Sequence, residues 1–170
     1  KKRDEILENS DKTKETIMNF IEEEVSKIVN IHTANEDIKK WDTSSIYQSI
    51  NSISSLEKEL TISKIQSIID GDKPQEIKKQ EISNLFVDLI KESYEKLEND
   101  ITPELLRQVE KQILLRIIDN LWIEHLDNVG DLRMGIGLRG YGQRDPLVEY
   151  KRDAFAMFTN LIENIKSGVV

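Results

Sequence analysis

Apolar residues in this chain recur at helical spacing almost from end to end, and that period restricts the fold more than any other feature. Ile17, Ile21, Val25 and Ile28 follow one another at steps of four, four and three, with Met18 and Val29 widening the stripe. The polar run Asn9-Ser10-Asp11 lies just upstream and reads as an N-cap or a bend. A long first helix, interrupted or bent near Ser10 and ending near Asn30, is expected.

Shorter elements follow. Thr43 is placed to cap a helix holding Ile46, Ile50 and Ile53, and Ile62, Ile65, Ile68 and Ile69 mark another that Gly71 would end as a C′ glycine. Asp72-Lys73-Pro74 restarts the chain, with Pro74 near a first helical position. Ile82, Phe86, Ile90, Tyr94 and Leu97 then form the stripe of a longer helix, and Asn99, Asp100, Thr102 and Pro103 end the segment. Residues 31–105 read as a separate small helical bundle.

The third segment carries two stripes side by side. Leu106, Val109, Ile113, Ile117 and Leu121 make one, and Leu114, Ile118, Trp122, Leu126 and Val129 make the other. A face that broad predicts a helix covered on two sides, and left uncovered it predicts self-association. Five of the seven glycines fall between Gly130 and Gly142, which predicts a turn or flexible loop there. Asp145-Pro146 should open the next helix, with Asp145 as N-cap, Pro146 at N1 and Glu149 facing the helix dipole. Leu147, Tyr150, Ala154, Phe158, Leu161 and Ile165 give its expected buried face, with Lys166 and Gly168 closing it. The sum is an all-α chain ending in a helical hairpin over 106–170, its tip near 137–145.

Composition removes several chemistries. There is no cysteine, which excludes disulfides, thiolate zinc sites and Cys nucleophiles. Net charge is −8, against general nucleic-acid binding. No run approaches the roughly 18 apolar residues of a membrane span. The chain opens Lys1-Lys2-Arg3-Asp4, without an initiator Met or a signal-peptide h-region. A piece of a longer, cytosolic protein is the reading that follows.

Candidate chemistry is sparse. Gly135-Ile136-Gly137-Leu138-Arg139-Gly140 has the letters of a dinucleotide loop, but a helix rather than a strand leads in, and Tyr141 to Arg144 separate it from the next helix. No Walker A string occurs, so neither an ATP site nor any other cofactor site is expected in this chain. His32 and His125 are the only histidines. Without thiolates or an H-E-x-x-H pattern they make no metal site; His32 reads as a loop residue and His125 as a packed helix-face residue beside Trp122. Runs such as Glu22-Glu23-Glu24 read as solvated helix, and no catalytic residue is expected. The tip differs. From Asp131 to Arg152, five cations stand against three carboxylates, a net of +2. That local charge suits an acidic or polar partner, such as a channel mouth or anionic headgroups. Tyr141 either grips a partner there or packs on the protein's other helices.

The run Leu121-Trp122-Ile123-Glu124-His125-Leu126, then Asp131-Leu132-Arg133-Met134-Gly135-Ile136 and Leu138-Arg139-Gly140-Tyr141-Gly142-Gln143-Arg144-Asp145-Pro146, closely resembles the two-helix finger of the SecA preprotein translocase ATPase family. Glu149 to Phe155 and Met157-Phe158 extend the resemblance, Arg3 to Leu7 with Ser10-Asp11 resembles its scaffold helix, and Trp41-Asp42 resembles a marker in its wing. The resemblance implies a scaffold from residues 1–30 and 106–170, with a helical wing at 31–105 inserted between them. It also implies a finger that reaches the SecYEG channel and the preprotein and regulates the motor. Tyr141, Arg139, Gln143 and Arg144 would make the substrate and channel contacts; Trp122, His125, Leu126 and Arg133 would serve packing and regulation. The motor domains, with ATP and Mg, would belong to a longer parent, cytoplasmic and peripheral to the membrane, of bacterial or plastid-like origin. A free-standing helical adaptor is the alternative.

Overall fold

The computed structural model describes residues 10–139 and 145–170, without the side chains of residues 10, 11 and 137–139. Ser10–His32 forms α1, Thr43–Asn51 α2, Lys58–Asp70 α3, Gln75–Ile101 α4, Pro103–Arg139 α5 and Pro146–Val169 α6, with a 3-10 turn at Ile38–Lys40. No strand occurs among the described residues, and the fold is all-α. The residues cluster into two compact units, one of residues 14–107 and the other built on 108–169.

In the 14–107 unit, α1 buries one residue in every four: Ile17, Ile21, Val25 and Val29, with Thr33 just past its end. Val29 rather than Ile28 continues the stripe, so the period is a strict four and the buried line advances about 40° around the helix at each repeat. Two ion pairs show that α1 runs antiparallel to α4. Lys14 Nζ lies 2.7 Å from Glu98 Oε2, and Lys91 Nζ lies 2.8 Å from Glu22 Oε1. Ile82, Phe86, Val87 and Ile90 form the buried face of α4, and Ile46, Tyr47, Ile50 and Ile65 complete the core from α2 and α3. Each such side chain contributes about 1.5–3 kcal/mol on leaving water.

Caps fix the short elements. Trp41 is buried and its indole N–H donates to Asn35 O at 2.8 Å, which ties down the segment between α1 and α2. Asp42, not Thr43, is the N-cap of α2: its carboxylate accepts from the Ser45 N–H at 2.9 Å and from Ser45 Oγ at 2.6 Å. The Ser45 hydroxyl and amide together hold the Asp42 carboxyl below its ordinary value. His32 is the last residue of α1 rather than a loop residue, and its Nε2 lies 3.4 Å from Ser49 Oγ. Gly71 ends α3 with φ −65° and ψ 155°, an extended conformation open to any residue, so no left-handed C′ glycine is needed. Lys78, reaching back from α4, donates to the free carbonyl of Ile69 at 2.6 Å and helps close that end.

The α4–α5 junction is strained. Thr102 has φ 92° and ψ 139°, and a β-branched residue there clashes with its own backbone. The extended ψ is what Pro103 demands of the residue before it. Two hydrogen bonds hold the geometry: the Thr102 N–H donates to Glu98 O, and Thr102 O accepts from the Leu106 N–H, both at 3.1 Å. Thr102→Gly is therefore expected to raise the unfolding free energy by about 1 kcal/mol, strain relief outweighing glycine's extra unfolded-state entropy. Urea unfolding of the Thr102→Gly variant beside the unaltered chain measures it.

In the 108–169 unit, α5 runs through Gly130 and Gly135 to Arg139, so the glycine-rich stretch is helix up to that residue and not a turn. Asp145 Oδ1 accepts from the Leu147 N–H at 2.8 Å, and the Glu149 N–H donates to Asp145 O at 3.1 Å, the N-cap expected from the sequence. α5 is not covered on two sides. Leu114 and Leu132 are buried, while Val109, Ile113, Trp122 and Leu126 are 43–53% exposed. On α6 only Leu161 of the expected face is fully buried; Tyr150, Ala154 and Ile165 are intermediate, and Leu147 and Phe158 are exposed.

Candidate functional site

α5 and α6 form an antiparallel pair. A Cβ placed on Gly168 would lie 3.3 Å from Ile117 Cγ2, the His125 ring faces Phe158, and Arg133 shares a cavity wall with Tyr150. Each step forward on α5 is a matching step back on α6. At Gly168 that added carbon would sit closer to the Ile117 side chain than most such contacts, so a residue without a side chain eases the approach there.

Helical geometry gives the pair two unlike flanks. With Leu114 and Leu132 facing inward, about 100° per residue sends Trp122 and Leu126 to one flank and Glu124 and Asn128 to the other. On α6, with Leu161 inward, Phe155 and Phe158 turn one way and Asn160 and Asn164 the other. The ring contacts bring Phe158 to the Trp122 flank: Trp122 and His125 centroids are 5.6 Å apart at a tilt of 41°, and His125 and Phe158 are 6.1 Å apart, edge to face. His125 is thus a packed aromatic bridging two exposed ones. Trp122 is 45% exposed, Leu126 53%, Phe155 73% and Phe158 46%. An open groove of about 220 Å³ is lined by Glu124, Asn128, Asn160 and Asn164 of the opposite flank together with Leu121, His125, Met157 and Leu161.

Toward the Pro146 end, Arg133, Ile136, Pro146, Leu147 and Tyr150 surround a shallow, mostly apolar hollow of about 480 Å³. Arg152 forks onto Glu149 at 3.0 and 2.7 Å and reaches Asp153 at 2.9 Å. Asp153 and then Glu149 raise the Arg152 pKa further, so this cation is spent on its own helix. Among the described residues no group of three or more His, Asp or Glu side chains could hold a metal ion. Nor, among them, is any helix long and apolar enough to cross a membrane. The described pair presents an aromatic flank, a flank lined by Glu124 and asparagine amides, and an arginine-bordered hollow.

The profile of the SecA wing and scaffold domain matches residues 1–170. The chain belongs to the SecA wing and scaffold family. It is similar to the protein translocase subunit SecA of Symbiobacterium thermophilum, 33% identical over 172 residues that cover 100% of this chain and 19% of that protein. The corresponding subunit of Thermodesulfovibrio yellowstonii is 35% identical over 99% of this chain and 17% of its own length. That of Aquifex aeolicus is 37% identical over 89% of this chain and 14% of its length. The chain thus spans less than a fifth of these relatives.

Of the residues that the SecA resemblance singled out, Trp122, His125, Leu126 and Arg133 lie on α5, the first three beside the aromatic flank and Arg133 at the hollow. Arg139 ends α5. The side chain of Arg139, and all of Tyr141, Gln143 and Arg144, lie outside the described residues. The sequence pattern puts Phe158 on the expected buried face and gives Phe155 no place on it; both are exposed. Their spacing of three, beside Trp122 and Leu126 on the facing helix, was the available signal.

Proposed function

We propose that this chain is the scaffold-and-wing part of an ATP-driven SecA translocase, with α5 and α6 forming a finger that contacts the preprotein and the SecYEG channel and regulates the motor. The observation that carries this reading is the whole-chain family match. The antiparallel α5–α6 pair, with its exposed Trp122, Leu126, Phe155 and Phe158, supports it as a contact element. In this reading Tyr141 engages the translocating polypeptide, while Arg139, Gln143 and Arg144 orient the tip. The aromatic flank and Arg133 pack against the motor domains of the full-length protein. Those domains bind ATP and Mg and do the hydrolysis; the chain contributes no catalytic residue. The full-length protein works in the cytoplasm, peripherally attached to a membrane whose anionic headgroups the tip cations would meet.

The test is Tyr141→Ala in the full-length protein. ATP binding should be retained and preprotein transport should fall. Normal transport with normal ATP binding would remove the gripping role from Tyr141.

A further inference from the structure

The 14–107 unit is threaded by the chain at two points, Lys14 on α1 and Arg107 on α5, and both end on the same pair of α4 side chains. Lys14 Nζ lies 2.7 Å from Glu98 Oε2, and Arg107 Nη2 lies 2.5 Å from Glu98 Oε1, so each carboxylate oxygen takes one cation. Both cations also stand over the Tyr94 ring, one turn back on α4, with Lys14 Nζ 5.0 Å and Arg107 Cζ 5.3 Å from its centroid. The side chains of Arg107 and Glu98 are only 10% and 18% exposed. The backbone carbonyl of Glu98 meanwhile accepts from Thr102, the strained residue that turns α4 into α5.

We infer that Glu98 and Tyr94 form a clasp that binds the incoming α1 and the outgoing α5 of this unit into one rigid neck, so that a displacement arriving along either helix is passed to the other. A single ion pair on a half-exposed surface would contribute little. Here one carboxylate joins a cation 84 residues away in sequence to another nine residues away, and loss of that carboxylate releases both. The cations beside Glu98, Lys14 first, hold its carboxyl below its ordinary value, so the clasp stays charged further into acid than an ordinary glutamate would.

Hydrogen exchange by mass spectrometry on the full-length protein tests this with Glu98→Gln and Lys14→Met. Glu98→Gln keeps the shape and removes the charge. It should speed exchange by about threefold to tenfold in both peptides 14–20 and 103–110, and leave peptide 82–90 unchanged. Lys14→Met should speed only the first. If Glu98→Gln loosens one peptide or neither, the clasp is wrong. If it speeds 82–90 equally, Glu98 serves general stability and the clasp is likewise overturned.

Discussion

Replacing Phe86 with Ala is expected to destabilise the chain by about 3–5 kcal/mol, the usual cost of emptying a fully enclosed aromatic site. Phe86 is 0% exposed and sits between Ile82 and Ile90 on the buried face of α4, both at 4% exposure or less. A close-packed interior collapses only partly around an emptied site, so a cavity term should add to the lost transfer energy. Phe86→Leu retains much of the volume and should cost under about half as much. Urea unfolding followed by circular dichroism measures both. Because residues 14–107 form a compact unit of their own, the loss should appear as an earlier transition of that unit. An unchanged midpoint for Phe86→Ala would mean that the α1–α4 core is not what holds this unit together.

How much of this was legible in the sequence depended on how local the determinant was. The stripe Ile17, Ile21 and Val25 and the signal Asp145-Pro146-x-x-Glu149 are complete within a few turns of chain, and both formed as read. The α-only class followed for the same reason. The cap of α2 was misplaced by one residue because Asp42 and Thr43 are both good caps, and a choice between neighbours rests on backbone angles that no pattern states. The broad face of α5 was visible, but its coverage was not: periodicity shows which residues are apolar, never how many neighbours arrive to cover them. The Glu98 clasp was invisible for a related reason, since Lys14, Glu98 and Arg107 are ordinary surface letters until the fold brings 84 residues of separation down to 2.7 Å. The contact residues proposed for the tip came from the family resemblance, and Tyr141, Gln143 and Arg144 lie outside the described residues.

Changing both Gly130 and Gly135 to Ala is expected to stabilise the chain by about 2 kcal/mol, roughly 1 kcal/mol for each helix-interior glycine removed. The glycine cluster had suggested a turn because glycine is usually placed where the backbone must bend or take positive φ. Neither condition applies at these two positions. α5 passes through both, and no glycine among the described residues has positive φ. A Cβ added at either would meet nothing within 4 Å, unlike the one at Gly168. Glycine there therefore loses more backbone entropy on folding than alanine and gains no packing. Thermal unfolding should move upward, by about 2–4 °C for each kcal/mol in a chain of this size, and far-UV circular dichroism should show more helix. A lowered midpoint would require that something pack against this face of α5 closely enough to exclude a methyl group. A raised midpoint together with slower transport by the full-length protein would instead mark these glycines as points where α5 must bend in use.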